Sequence, residues 1–284
     1  MESINRLGEI LYVEVNEGIT LRYLKTGYGE PLILLHTIRT QLDYFQEVIP
    51  ALAKHYTVYA VDLPGHGYSS IDTKASYDEP YFRAAIIAFV EKLNLSDVTL
   101  VGESIGGVIA LTATAQLPAR VKKVIASNPY DYETRYGDGL RRGNFIANFI
   151  IGNFGIPIVG AIFAALENKI LLGLVMRGGL RQKRKMPNDL LTEFNKVGFR
   201  KDYRYVERKT FAGWRSWAKA RDYDYVRVKL PVKLVYAEFD WSTNVERQRT
   251  AAALGGISII TVPNTGHFSF VDNPQKLLEI VLAQ

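Results

Sequence analysis

The sequence predicts an α/β fold, a mostly parallel, doubly wound sheet with a helical cap insertion, and three observations predict it. Short apolar runs rich in Val, Ile and Tyr alternate with segments of helical apolar spacing through residues 1–129. The alternation resumes over residues 226–284, so these two segments read as one core. Residues 130–225 interrupt it and read as a helical subdomain inserted into that core.

Each element follows in order. "ILYVEV" and "ITLRYLKT" read as an opening hairpin, and "PLILLH", "YTVYAVDL", "DVTLVG" and "VKKVIASN" as buried strands. Between them, "QLDYFQEVIPALAKH", "EPYFRAAIIAFVEKLN" and "SIGGVIALTATAQLP" carry helical spacing and supply the crossovers that parallel strands need. After residue 225 come strand "VKLVYAEF", a helix from about Asn244, strand "ISIITV" and a last helix "PQKLLEIVLAQ". The insertion holds "GNFIANFIIGNFGIPIVGAIFAAL", Gly143 to Leu166, which has no charged residue over 24 positions. That length is enough to span a bilayer. Its three Asn, four Gly and one Pro, and the lack of a second such stretch, favour a helical segment whose apolar face covers something instead.

Composition narrows the chemistry. With 284 residues and 48% hydrophobic content the chain can bury a large core. It has no cysteine, which excludes a disulfide scaffold, thiolate metal sites and a cysteine nucleophile. The start "MESINRLGEI" lacks a basic region ahead of an apolar run, so no signal peptide is expected and the cytoplasm is the expected location. The net charge of +6 is unevenly placed: residues 131–224 hold 18 Lys/Arg against 10 Asp/Glu, and the remainder is net acidic. No nucleic-acid motif accompanies the basic segment, so nucleic acid is not an expected partner. A basic, apolar cap is instead a surface for an anionic membrane or an acidic acyl carrier.

Chemistry centres on "VTLVGESIGGVIAL", a strand, a sharp turn and a helix, with Ser104 inside Gly102-Glu103-Ser104-Ile105-Gly106. In a G-x-S-x-G turn the small flanking residues let strand and helix pack closely, and the serine hydroxyl stands at the positive end of the helix. A hydroxyl becomes nucleophilic only when a base takes its proton, and a carboxylate must hold that base in one tautomer. "VKLVYAEFDWS" offers Asp240 just past a strand, and "TVPNTGHFSFVDNP" offers His267 in the loop after the next one. His36, His55 and His66 lie in other turns or at a helix end and are expected to be structural; Asp131 and Glu133 are alternative acids.

The pieces "GYGEPLILLHT", "VYAVDLPGHGYSS", "VGESIGG", "VYAEFDWS" and "NTGHFSFVDNPQ", in this order, resemble the α/β-hydrolase-fold superfamily across nearly everything outside the insertion. The resemblance implies a cofactor-independent serine hydrolase or esterase with no metal, in which Ser104 is the nucleophile, His267 the base and Asp240 its orienting acid. It implies a cap that roofs the site and sets the choice of a hydrophobic small-molecule substrate. It also implies an oxyanion hole from the backbone N–H groups of Ile38 and Ile105. A ligand receptor and a perhydrolase share the same scaffold and triad.

One departure marks the first oxyanion turn, where the family usually carries His-Gly and this chain reads His36-Thr37. Thr37 either braces the local backbone or hydrogen-bonds substrate. "HTI" with "GESxGG" also resembles the plant hydroxynitrile lyases, which use that Thr, but their Lys after the catalytic His is here Phe268. Arg39, two residues on, either pairs with a core or cap carboxylate or receives an anionic substrate group.

Overall fold

The computed structural model describes residues 2–283 apart from 155, 157–158, 161–166 and 184. The strands are β1 (Glu9–Asn16), β2 (Ile19–Gly27), β3 (Pro31–Leu35), β4 (Thr57–Val61), β5 (Val98–Glu103), β6 (Val121–Ser127), β7 (Val232–Phe239) and β8 (Ile259–Gly266). They form one sheet in the order β1-β2-β4-β3-β5-β6-β7-β8. The β1–β2 and β2–β4 pairs are antiparallel, and every pair from β4 onward is parallel. Residues Leu32–Leu35 of β3 and all of β5 are buried, as a strand covered by helices on both faces must be, which is why these runs are continuously apolar rather than alternating.

Crossover helices flank the sheet. The helix Glu79–Lys92 starts where the Asp78 side chain accepts from Tyr81 N–H and Pro80 occupies the first turn, both favourable at an N-terminus. Asn244–Ala253 starts with a capping box, Thr243 and Glu246 satisfying each other's backbone amides.

The segment "QLDYFQEVIPALAKH" is not one helix. It forms a 3₁₀ turn, Leu42–Phe45, and a single α-turn, Ile49–Leu52. Pro50 has no N–H to continue a ladder from the preceding turn. Asp43, at the same time, is drawn inward to a buried ion pair with Arg22 at 3.2 Å. Tertiary demand on one side chain therefore outweighs the apolar periodicity.

Between β6 and β7 the chain builds helices Asp138–Gly143, Phe145–Phe154, Lys169–Met176, Asn188–Gly198, Tyr203–Ala212 and Trp214–Tyr223. Part of the uncharged stretch Gly143 to Leu166, residues 155, 157–158 and 161–166, lies outside the described residues, as does residue 184 of the basic run that follows. Among the described residues no helix is long and apolar enough to cross a membrane. Helix Phe145–Phe154 buries Ala147, Ile150, Ile151 and Phe154 and exposes Phe145 and Phe149, so one face of it covers protein. The insertion is tied to the core by Arg83–Asp224 at 3.2 Å, by Gln46 donating to Asp189 at 2.7 Å, and by the Glu79 N–H donating to Ser216 Oγ at 2.9 Å.

Candidate active site

Ser104 sits where β5 turns into helix Ile105–Gln116, with φ 58° and ψ −120°. A non-glycine residue held there is strained, at a cost of about 1–3 kcal/mol, and persists only if its surroundings over-determine it. They do: its N–H donates to Ser127 carbonyl at 2.9 Å, and its own carbonyl accepts from Gly107, Val108 and Tyr130 N–H groups. The flanking glycines are sterically required. A Cβ on Gly102 would lie 2.1 Å from the Gly106 carbonyl oxygen, and one on Gly106 would lie 2.2 Å from the Leu35 carbonyl oxygen. Helix, nucleophile strand and the end of β3 can approach only because both side chains are absent.

His267 follows β8 and is fully buried, with Nδ1 hydrogen-bonded to Asp240 Oδ1. Since the carboxylate can only accept, Nδ1 carries the proton and Nε2 is left as the basic nitrogen. Burial by itself would raise Asp240, but the His267 ring and the Ser242 hydroxyl and amide outweigh it and hold the carboxyl below its ordinary value. Asp131 and Glu133 are engaged elsewhere. Asp131 accepts from Thr250 Oγ1 at 2.9 and 3.0 Å, and Glu133 accepts from the Tyr130 hydroxyl. Burial pushes Asp131 to about 7 and Glu133 to about 8, so both are poor standing charges for an imidazolium.

Ser104 Oγ and His267 Nε2 are both buried and both lack a hydrogen-bond partner among the described residues. The two are therefore not hydrogen-bonded to each other, although they stand on two turns that the bond from Ser269 N–H to Glu103 ties together. Burial lowers His36 and His66 to about 3. His36 is spent bridging Thr37 carbonyl at 2.8 Å and Leu63 N–H at 3.0 Å. His66 Nε2 is also buried without a partner among the described residues, but its Nδ1 meets the Pro64 carbonyl at 3.1 Å rather than a carboxylate. His55 is exposed.

The turn after β3 shows how β-branched residues can occupy a bend. Thr40 N–H donates to Thr37 carbonyl at 3.3 Å, so Ile38 and Arg39 are the central residues, and Arg39 takes the left-handed conformation at φ 63°. The intraturn bond uses neither the Ile38 N–H nor, at the start of its helix, the Ile105 N–H, which has no intrahelical acceptor. The backbone brace is Thr40, whose hydroxyl donates to Thr37 carbonyl at 2.8 Å. Thr37 Oγ1 itself is buried with no partner among the described residues, which removes the bracing role the sequence allowed it.

Arg39 pairs with the segment between β6 and β7. Nε donates to Glu167 Oε1 at 3.0 Å and lies 3.3 Å from Glu207 Oε1, Nη1 donates to Phe194 carbonyl at 2.8 Å, and the guanidinium stacks over Tyr203 at 5.1 Å. These anchors from the insertion hold the left-handed residue next to Ile38. A cavity of about 40 Å³ lies beside this cluster, lined by Ile38, Arg39, Glu167 and Glu207, by Trp241 and Phe268, and by apolar residues of the same segment such as Leu140, Ile150 and Met176.

Several residues around the site carry no motif. Trp241 stacks on the His267 ring, centroids 3.7 Å apart and planes 14° apart, and its Nε1 donates to Gly178 carbonyl at 2.9 Å. Asn128 holds the histidine loop, Nδ2 donating to His267 carbonyl at 2.9 Å. Glu103 lies fully buried under the serine, accepting from Ser269 N–H at 2.9 Å and from the hydroxyls of Tyr44 and Ser269. Only the last leaves a signal in the sequence: a carboxylate in an otherwise apolar strand needs partners.

A family model described as the alpha/beta hydrolase fold matches residues 30–149. The chain is 24% identical over 294 residues to abhydrolase domain-containing protein abhd-5.2 of Caenorhabditis elegans, covering 96% of this chain and 62% of that one. It is 31% identical over 116 residues to the (E)-2-((N-methylformamido)methylene)succinate hydrolase of Acinetobacter baylyi, covering 41% of this chain and 44% of the relative. The chain thus spans less than two thirds of the length of either. Among solved structures it is similar to Cfl2 of Burkholderia cenocepacia, with a TM-score of 0.77, 20% identity, and coverage of 96% of this chain and 94% of that one.

Proposed function

We propose that this chain, which belongs to the α/β-hydrolase-fold superfamily, is a serine hydrolase that cleaves a carboxylic ester or thioester of a small molecule through an acyl-serine intermediate. The observation that carries the reading is the pair of unsatisfied buried atoms, Ser104 Oγ and His267 Nε2, with Asp240 bonded to the far side of the imidazole. The relative from Acinetobacter baylyi is named a hydrolase, which supports the class without supplying the substrate.

Each group has a step. Ser104 Oγ attacks the carbonyl carbon while His267 Nε2 takes its proton, and Asp240 stabilises the imidazolium by accepting from Nδ1–H. The N–H groups of Ile38 and Ile105 receive the developing oxyanion, an interaction for which a single donor contributes about 2.7–4 kcal/mol in a measured protease case. His267 then returns the proton to the leaving oxygen or sulfur, and a water activated by the same nitrogen releases the acid. A departing cyanide would want a cation beside His267, and Phe268 packs there instead.

The cavity does not reach Ser104 or His267 but borders the site through Ile38, Trp241 and Phe268, and we take it as the acyl pocket. A volume of about 40 Å³, against the roughly 10–15 Å³ that one water needs, admits a group of a few heavy atoms while the cap is closed. Short acyl chains are therefore the expected substrates. Fluorophosphonate labelling, with hydrolysis of short p-nitrophenyl esters, tests the reading: both should be abolished by Ser104→Ala. Hydrolysis undiminished in that variant would remove Ser104 from the reaction.

A further inference from the structure

The cavity wall is apolar except at one end, where Arg39, Glu167 and Glu207 meet. These three carry two carboxyls and one guanidinium; Arg39 and Glu207 are each about 5% exposed and Glu167 about 16%. The guanidinium is spent on Glu167, on Glu207 Oε1 and on the Phe194 carbonyl. Glu207 Oε2 is buried and has no hydrogen-bond partner among the described residues. It belongs to a residue that lines the cavity.

Charge decides what this oxygen offers. With both carboxyls ionised, the buried cluster would hold a net negative charge in a low-dielectric wall. Burial, and then the facing Glu167 carboxylate, raise Glu207 strongly, with Arg39 and Arg204 opposing. Tyr203 on the same helix and Tyr136 from the start of the insertion are the other titratable groups facing it, and burial keeps both phenols neutral. Of this cluster, Glu207 is therefore the carboxyl that burial favours in its neutral form. That leaves a neutral carboxyl able to donate, with no group donating to its Oε2 among the described residues, on a residue that lines a cavity sized for a few atoms. The one guanidinium in this wall is already committed, so an anionic substituent gains nothing there, and an alkyl group offers the carboxyl no acceptor.

We propose that Glu207, held by Arg39, forms a polar wall that donates a hydrogen bond to a neutral acceptor, an ether or carbonyl oxygen, on the acyl chain of the substrate. This rests on the serine-hydrolase reading for the word substrate, while the recognition itself is a binding property. The preferred acyl groups are short and oxygen-bearing rather than plain alkyl.

Methyl methoxyacetate and methyl butanoate are near-isosteres in which one chain oxygen replaces a methylene, and they isolate the bond. Calorimetric titration into the Ser104→Ala protein measures binding without turnover. The methoxy ester should bind about 10-fold more tightly, equivalent to one hydrogen bond of about 1.4 kcal/mol. Adding Glu207→Gln should keep the preference, since the amide still donates. Adding Glu207→Leu should abolish or invert it. The preference should also fade in the Glu207 protein as pH rises from about 6 to 10 and stay flat with Gln, a readout a purely structural residue would not move. Equal binding of both esters, binding of neither, or a preference unchanged in Glu207→Leu overturns the proposal; should that variant fail to fold, the pH comparison with Gln decides. Ester hydrolysis by the wild type that survives Ser104→Ala would overturn the functional reading alone, leaving the binding result intact.

Discussion

Glu103 is a fully buried carboxyl beneath the nucleophile, and glutamine in its place removes the charge while keeping the shape. Its Oε1 accepts from the Ser269 amide at 2.9 Å and, more weakly, from Asn128 Nδ2 and Ser127 Oγ at 3.4 Å. Its Oε2 accepts from the Tyr44 hydroxyl. In Glu103→Gln the amide oxygen keeps the first set, and the amide nitrogen faces a hydroxyl that can rotate to accept. Burial raises Glu103 from 4.5 to about 7, against the opposing pull of His267 and of the Ser269 and Tyr44 donors. A displacement of that size corresponds to about 3 kcal/mol between protonated and ionised forms. The folded protein holds this proton more tightly than the unfolded chain. The stability Glu103 contributes is therefore complete below about pH 4.5 and is lost as pH rises through about 7. Glu79 and Asp131, each raised mainly by burial to about 7, slope the same way, while His36 and His66, lowered by burial to about 3, slope the opposite way below about pH 6.5, so a comparison with a single-residue variant is needed. Urea unfolding of wild type and Glu103→Gln at about pH 5 and about pH 8 isolates the one residue: the variant should lose up to about 3 kcal/mol less across that interval. Parallel pH profiles for the two proteins would overturn this account, because they would mean Glu103 is ionised in the folded state as readily as in the unfolded one.

Two further outcomes follow from contacts around the histidine and the nucleophile. Trp241→Ala should cost about 3–5 kcal/mol as a large buried truncation and lower kcat by freeing the His267 ring; Trp241→Phe should restore most of kcat while still lacking the bond to Gly178, as thermal unfolding and ester hydrolysis would show. Gly106→Ala should cost several kcal/mol or prevent soluble expression, because its Cβ would meet backbone oxygens of Leu35 and His36 at 2.2 and 2.6 Å, neither of which can move without opening the sheet.

Much of the core is legible in the sequence because its signals are local. Continuous apolar runs mark strands buried on both faces, and strand-like and helix-like segments alternate because parallel strands need crossovers. Local periodicity misleads where a long-range bond competes with it. The segment "QLDYFQEVIPALAKH" has helical spacing, but Arg22 draws Asp43 into a buried ion pair and Pro50 cannot extend a ladder, so only short turns form. The hydroxyl of Thr37 is chemically able to brace its own turn, yet Thr40 fills that role. The stacking of Trp241 on His267, the support of Asn128 under the histidine loop, and the pairing of Arg39 with Glu167 and Glu207 join residues far apart in the chain, and no spacing encodes them. The order of strands and helices, the glycines that the nucleophile turn requires, and the candidates Ser104, Asp240 and His267 can all be read from the chain, because each depends on a residue and its near neighbours. Which polar groups are buried without a partner, and which carboxyls stay protonated, emerge only in three dimensions, because burial and charge pairing are properties of the packed chain.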